Sequence, residues 1–147
     1  MTWRLGLIAG EPSGDFITAQ ALAGLKQVDP LVRPEGIGGP HLAAQGLDIW
    51  HPMHALSVFG YVDAFKRLPS LFGIYRDVKN RWLTEPPAVF LGVDAPDFNL
   101  ELAFALKRRG ISTMQFVCPS VWAWRAERLG KIRQSVDHVL CLFPFEP

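Results

Sequence analysis

At 147 residues the chain has the size of one ordinary domain and is long enough to bury its own core. Apolar residues at 49% and charged residues at 20% exclude disorder as the default state. Fifteen Lys and Arg against fourteen Asp and Glu leave a net +1, which excludes recruitment of nucleic acid or a membrane by overall charge.

In chain order, Leu5–Ala9 is a continuous apolar run ending at Gly10, the pattern of a strand buried on both faces. From Asp15 to Val28, Phe16, Ala19, Leu22, Ala23 and Leu25 recur at helical spacing, with Asp15 or Ser13 as the expected cap. A short segment around Glu35–Ile37 opens into a glycine-rich turn, and Leu47–Trp50 is a further short strand. Helices are expected over Ala55–Phe65 and Pro69–Trp82, with Pro69 opening the second. Ala88–Val93 is a buried strand, and Asp97–Arg109 is a helix stopped by Gly110. Ile111–Val117 is the next strand, followed by a Pro- and Trp-rich loop, a helix over about Arg125–Gln134 and a last strand over Val139–Phe143. Strands alternating with helices imply right-handed βαβ units. The predicted fold is therefore α/β, a Rossmann-like, doubly wound, mostly parallel sheet, in one domain over residues 1–147.

The longest uncharged run, Gly110–Trp124, has fifteen residues and is interrupted by Pro119, short of the ~20 that cross a bilayer. The apolar stretch after Arg4 is too short for a signal peptide, so a cytoplasmic location is expected. Cys118 and Cys141 lack metal spacing and lie in apolar stretches, as reduced core thiols would.

Open parallel sheets bind ligands at the carboxyl ends of their strands. Gly10–Asp15, Gly36–Pro40, Asp94–Asp97 and Cys118–Arg125 all fall on that edge. The first is neither a dinucleotide fingerprint nor a P-loop. Glu11 and Asp15 place negative charge beside a helix N-terminus, which disfavours phosphate and favours hydroxyl and N–H donors from a ligand. Gly10, Glu11, Ser13, Gly14 and Asp15 are candidate binding residues, with a simple capped turn as the alternative. Gly38 and Gly39 either let backbone N–H groups approach a ligand or form a plain connection.

Asp94 and Asp97 flank Pro96 at a strand end, and only one carboxylate is needed as a helix cap. Asp94, nearer the strand, is the candidate general base for an incoming hydroxyl; Asp97 and Asn99 are assigned local hydrogen bonding in the site. Trp122 and Trp124 suit stacking on sugar, Ser120 a polar head group, and Arg125 an anionic one. From Lys107 to Arg133 seven basic residues face one acid, a local +6 that is either a solvated helix face or a phosphate anchor. His41, His51, His54 and His138 complete no metal set, so neither metal nor cofactor is expected. Val58, Phe59, Val62, Phe65, Leu68 and Phe72 exceed one core-facing stripe; they are core, or else a surface for a membrane or an acyl chain.

Together, Ala9-Gly10-Glu11-x-Ser13-Gly14-Asp15, Gly36-x-Gly38-Gly39-Pro40, Asp94–Asn99, Pro119–Arg125 and Pro144-Phe145-Glu146 resemble the lipid-A-disaccharide synthase family in order and spacing. Pro12, Asp63, Cys118 and His41-Leu42 depart from the residues more usual there. The resemblance implies the amino-terminal, acceptor-side domain of a two-domain GT-B-type glycosyltransferase, with a second, UDP-sugar domain outside this chain. It implies an inverting transfer from UDP-2,3-diacylglucosamine to 2,3-diacylglucosamine 1-phosphate, giving the β-1,6 disaccharide and UDP. Asp94 matches the family's candidate base, and Val58–Phe72 its apolar, membrane-associating surface. Peripheral attachment to the cytoplasmic face of the inner membrane and no nucleic-acid partner are further expectations; a homodimer of the full-length form is left open. The alternative reading is a nucleotide- or nucleotide-sugar-binding module of another enzyme class.

Overall fold

The computed structural model describes residues 2–56, 60–93, 96–116 and 138–140. Its elements run β1 (Trp3–Ala9), α1 (Pro12–Val28), β2 (Val32–Gly38), α2 (Pro40–Ala44), β3 (Asp48–Pro52), a 3-10 turn (Met53–Leu56), α3 (Gly60–Thr84), β4 (Val89–Val93), α4 (Pro96–Lys107), β5 (Ser112–Phe116) and β6 (His138–Leu140). The strands form one sheet in the order β3-β2-β1-β4-β5-β6, and every pair is parallel. The order reverses between β1 and β4, which is the switch point of a doubly wound sheet. The expected Rossmann-like α/β architecture is the observed one.

Both sheet faces are covered, which explains why the central strands lack polar alternation. Leu5, Leu7 and Ala9 of β1 pack with Ala19, Leu22, Leu42 and Leu47 on the α1–α2 side. Ile8 and Ile37 pack with Val78, Trp82, Leu102 and Leu106 on the α3–α4 side.

Several elements differ from the sequence expectation. The Ala55–Phe65 and Pro69–Trp82 helices are replaced by a 3-10 turn and one 25-residue helix that runs through Pro69. An interior proline costs a helix roughly 3 kcal/mol. A break at Pro69 would instead place Leu68, a poor N-cap, at the start of a new helix. Strand β2 extends back through Pro34, whose neighbour on one side is Leu5 of β1. Pairing with β3 begins only at Glu35, so the missing N–H of Pro34 interrupts no ladder on that side. Helix α1 starts at Pro12 with Glu11 as its N-cap residue, not at Ser13 or Asp15. Helix α4 begins at Pro96 and ends at Lys107, two residues short of the expected Arg109. Cys118, Cys141 and the expected helix over Arg125–Gln134 lie outside the described residues.

Candidate functional site at the carboxyl edge of the sheet

The carboxyl ends of β1, β2 and β4 converge beside the switch point, and two buried polar side chains hold them there. Asn99, fully buried on α4, donates from Nδ2 to the carbonyls of Val93 (3.3 Å) and Ile8 (3.5 Å). One side chain thereby ties the last turn of β1 to the end of β4. The Gly10 N–H adds a bond to the same Val93 carbonyl at 3.4 Å. Asn99, a candidate binding residue in the sequence, has two backbone carbonyls as partners of its Nδ2.

Asp15 holds the second junction. It is 1% exposed, and it does not cap its own helix as expected. Its Oδ1 accepts the N–H groups of Gly39 (2.9 Å) and Leu42 (3.1 Å), and its Oδ2 accepts that of His41 (2.9 Å). Helix α2 has Gly39 as its N-cap residue and Pro40 in its first turn, so no local side chain meets its first free amides. A carboxylate from α1 takes that place, where negative charge is also favoured by the helix dipole. A Cβ on Gly39 would lie 2.8 Å from Asp15 Oδ2, so the close approach needs glycine.

Gly36 meets a different demand, since at φ +139° its Cβ would fall 2.1 Å from the Leu7 carbonyl oxygen. The β2–β3 register also shifts between Gly36 and Ile37. The glycine-rich turn is therefore a built junction and not a plain connection.

Around these two clamps, Glu11 and Ser13 are exposed, while Gly10, Gly14, Gly38 and Gly39 are buried backbone. The Glu11 side chain makes no capping bond. Beside them Phe16, read in the sequence only as part of the helical stripe and 48% exposed, meets the His41 ring edge-on with centroids 5.2 Å apart. Helix α2 was also missed; the Gly39-Pro40 pair, a cap residue followed by a first-turn proline, was the available signal.

Asp94, Ser120, Trp122, Trp124 and Arg125 lie outside the described residues, as do Val58 and Phe59. Asp97 falls in the first turn of α4, and Val62, Phe65 and Leu68 fall in α3. Phe72, on the same helix, is 62% exposed. Among the described residues no helix is long and apolar enough to cross a membrane, and no three His, Cys, Asp or Glu side chains gather as a metal site.

A pocket of about 550 Å³ opens elsewhere, toward the amino ends of the strands, lined by residues that include Arg4, Glu35, Trp50, Asp77, Arg81 and Glu85. No predicted site residue lines it. Most of its charges are paired: Arg4 reaches Glu85 (2.8 Å) and Glu35 (3.6 Å), and Asp77 reaches His51 (2.7 Å) and Arg81 (3.3 Å). Burial pushes the Glu35 carboxyl above its ordinary value, against the opposing pull of Arg4 and the Trp82 indole N–H (3.2 Å).

Sheet order and the convergence of the strand ends define a class: a doubly wound α/β domain with its switch point between β1 and β4, the place where such folds generally bind ligands. Compared with known proteins, residues 5–147 match the model of the lipid-A-disaccharide synthetase family. The chain is 60% identical over 146 residues to the lipid-A-disaccharide synthase of Bordetella petrii and 59% identical to that of Bordetella pertussis. Over 144 residues it is 52% identical to the corresponding protein of Paraburkholderia phytofirmans. These matches cover 97–99% of the chain, and the chain spans 37% of the length of each relative. The chain belongs to the lipid-A-disaccharide synthetase family.

Proposed function

We propose that this chain is the amino-terminal, acceptor-side domain of an inverting GT-B-type glycosyltransferase of lipid A biosynthesis. The reaction is transfer of 2,3-diacylglucosamine from its UDP derivative to the 6-hydroxyl of 2,3-diacylglucosamine 1-phosphate, with release of UDP. The observation that carries this reading is the family match over residues 5–147. It leaves the alternative, a nucleotide-binding module of another enzyme class, without support.

In this reading Asp94 takes the proton of the acceptor hydroxyl as that oxygen attacks the anomeric carbon and UDP departs from the opposite side. Position 94 directly follows Val93, the strand end that Asn99 and Gly10 hold beside β1 at the switch point. Ligands of such sheets bind at the carboxyl ends of the strands beside the switch point, which supports a base at the position that follows β4. Glu11 and Ser13, exposed on the adjoining turn, supply oxygens for hydroxyl and amide donors of the sugar. Asp97, Ser120, Trp122, Trp124 and Arg125 complete the head-group site through hydrogen bonds, stacking and charge. Val58, Phe59, Val62, Phe65, Leu68 and the exposed Phe72 form the surface for acyl chains at the cytoplasmic face of the inner membrane. The UDP-sugar contacts belong to a second domain beyond this chain.

The test is Asp94→Asn in the full-length enzyme. Turnover is expected to fall by about 10²–10⁴, the usual contribution of a positioned base, with an unchanged melting temperature. Near-wild-type turnover would remove Asp94 from the reaction.

A further inference from the structure

We propose that Asp15 is a positioning residue, a latch that joins the Gly10–Gly14 turn and the Gly38–Pro40 turn into one wall of the acceptor site. This role rests on the glycosyltransferase reading for its kinetic consequence, and on hydrogen-bond geometry alone for the latch itself. Both carboxylate oxygens of Asp15 point away from its own helix and accept three amides of the other turn, at 2.9–3.1 Å. The side chain is 1% exposed, so its oxygens are withheld from a substrate. Gly39 lacks the side chain that would cap α2 locally, and any Cβ there would collide with the carboxylate. The two turns leave different strands, β1 and β2, and enter different helices, α1 and α2, which also meet through the packing of Ala19 and Leu22 with Leu42 and through the Phe16–His41 ring contact. The carboxylate makes them move together, and with them the exposed Glu11, Ser13, Phe16 and His41.

The latch makes an atom-level prediction. In Asp15→Asn a single oxygen replaces Oδ1 and still accepts Gly39 and Leu42, while the new NH₂ group faces the His41 N–H, donor against donor. In the full-length enzyme, hydrogen exchange of the His41 amide is then expected to accelerate by about tenfold or more, with Gly39 and Leu42 less affected; in Asp15→Ala all three accelerate. In parallel, KM for the acylated acceptor is expected to rise about tenfold in Asp15→Ala, with a smaller change in kcat and an unmoved acidic limb of the pH–rate profile. Gly39→Ala, which leaves the carboxylate in place and crowds it, is expected to raise KM in the same way.

Wild-type protection of all three amides in Asp15→Ala overturns the latch. Loss of the acidic limb in Asp15→Asn with the amides still protected overturns positioning in favour of direct chemistry. Wild-type KM in Gly39→Ala overturns the link between latch and binding. If the wild-type enzyme transfers no sugar, the glycosyltransferase reading fails, and the exchange measurements still decide the latch.

Discussion

At the carboxyl edge of the sheet the Asp15 carboxylate is met by three backbone N–H groups, whereas toward the amino edge Glu35 has an indole N–H and a guanidinium 3.6 Å away. Backbone amides are fixed by the fold, so Asp15 is satisfied without ordering another long side chain. Glu35 relies on side chains that must themselves be held, and burial wins over them, raising its affinity for a proton. The same domain therefore uses one buried carboxylate, on α1, as a joint between loops and carries another, half-buried on β2, as a cost. The pocket of about 550 Å³ accompanies the second arrangement, and the glycine turns accompany the first. The pocket near Glu35 is lined in part by the ion pairs of Arg4 with Glu85 and of Asp77 with Arg81.

Substitutions at the two edges should therefore separate stability from turnover. The largest stability effect is expected for Trp82→Ala, on the amino side. Trp82 is fully buried, stacks near Trp50 and Phe90, and lies against Gly6. Its loss should cost about 3–5 kcal/mol by denaturant melts, with kcat per folded molecule unchanged. A fall in kcat without loss of stability would erase the division between the edges. Asp15→Ala comes next, at about 1–3 kcal/mol for buried amides left without an acceptor, and unlike Trp82→Ala it should move KM.

Glu35→Gln tests the opposite sign. Because the folded-state value of Glu35 is raised above 4.5, its contribution to stability is fully present below that pH and is lost as pH rises through the folded value. The glutamine variant should be at least as stable as wild type at pH 7 and should lack the gain that wild type shows on mild acidification. A clear loss at pH 7 would mean that the Arg4 pairing outweighs burial. The smallest effect is expected for Asp77→Asn. The hydrogen bond from His51 and the charge of Arg81 lower the Asp77 carboxyl below 3.8, so its contribution is present above that value and is lost as pH falls through the folded one. With Asp77 39% exposed, solvent screening should hold that contribution under about 1 kcal/mol, read as a shallower acid limb of the pH–stability curve.

The strand–helix alternation was legible because strands buried on both faces must be continuously apolar, as Leu5–Ala9 and Val89–Val93 are. The rule for parallel sheets then placed the glycine turns on one edge before any contact was known. The joints were not legible. Asp15 looks like a first-turn cap for its own helix, and its partners lie 24–27 residues away on a helix of only five residues. Asn99 looked like a local hydrogen-bonding residue of the site, whereas its reach to Ile8 spans 91 positions. Pro69 misled in the same way. Proline restricts only its own backbone, and whether an element ends there depends on caps and neighbouring strands that a local pattern does not contain.

The register shift between β2 and β3 has a consequence for solubility. In a regular strand Trp50 and His51 would face opposite sides, yet Trp50 stacks near Trp82 at 5.2 Å and His51 bonds Asp77, both on α3. The irregularity lets consecutive residues grip one helix, with Arg81 laid over the Trp50 ring at 4.7 Å. Strand β3 is also an outer strand of the sheet, where unpaired backbone groups invite a foreign strand to add. A five-residue strand, kinked against its neighbour and fastened sideways to α3, is by general rule a poor template for such addition.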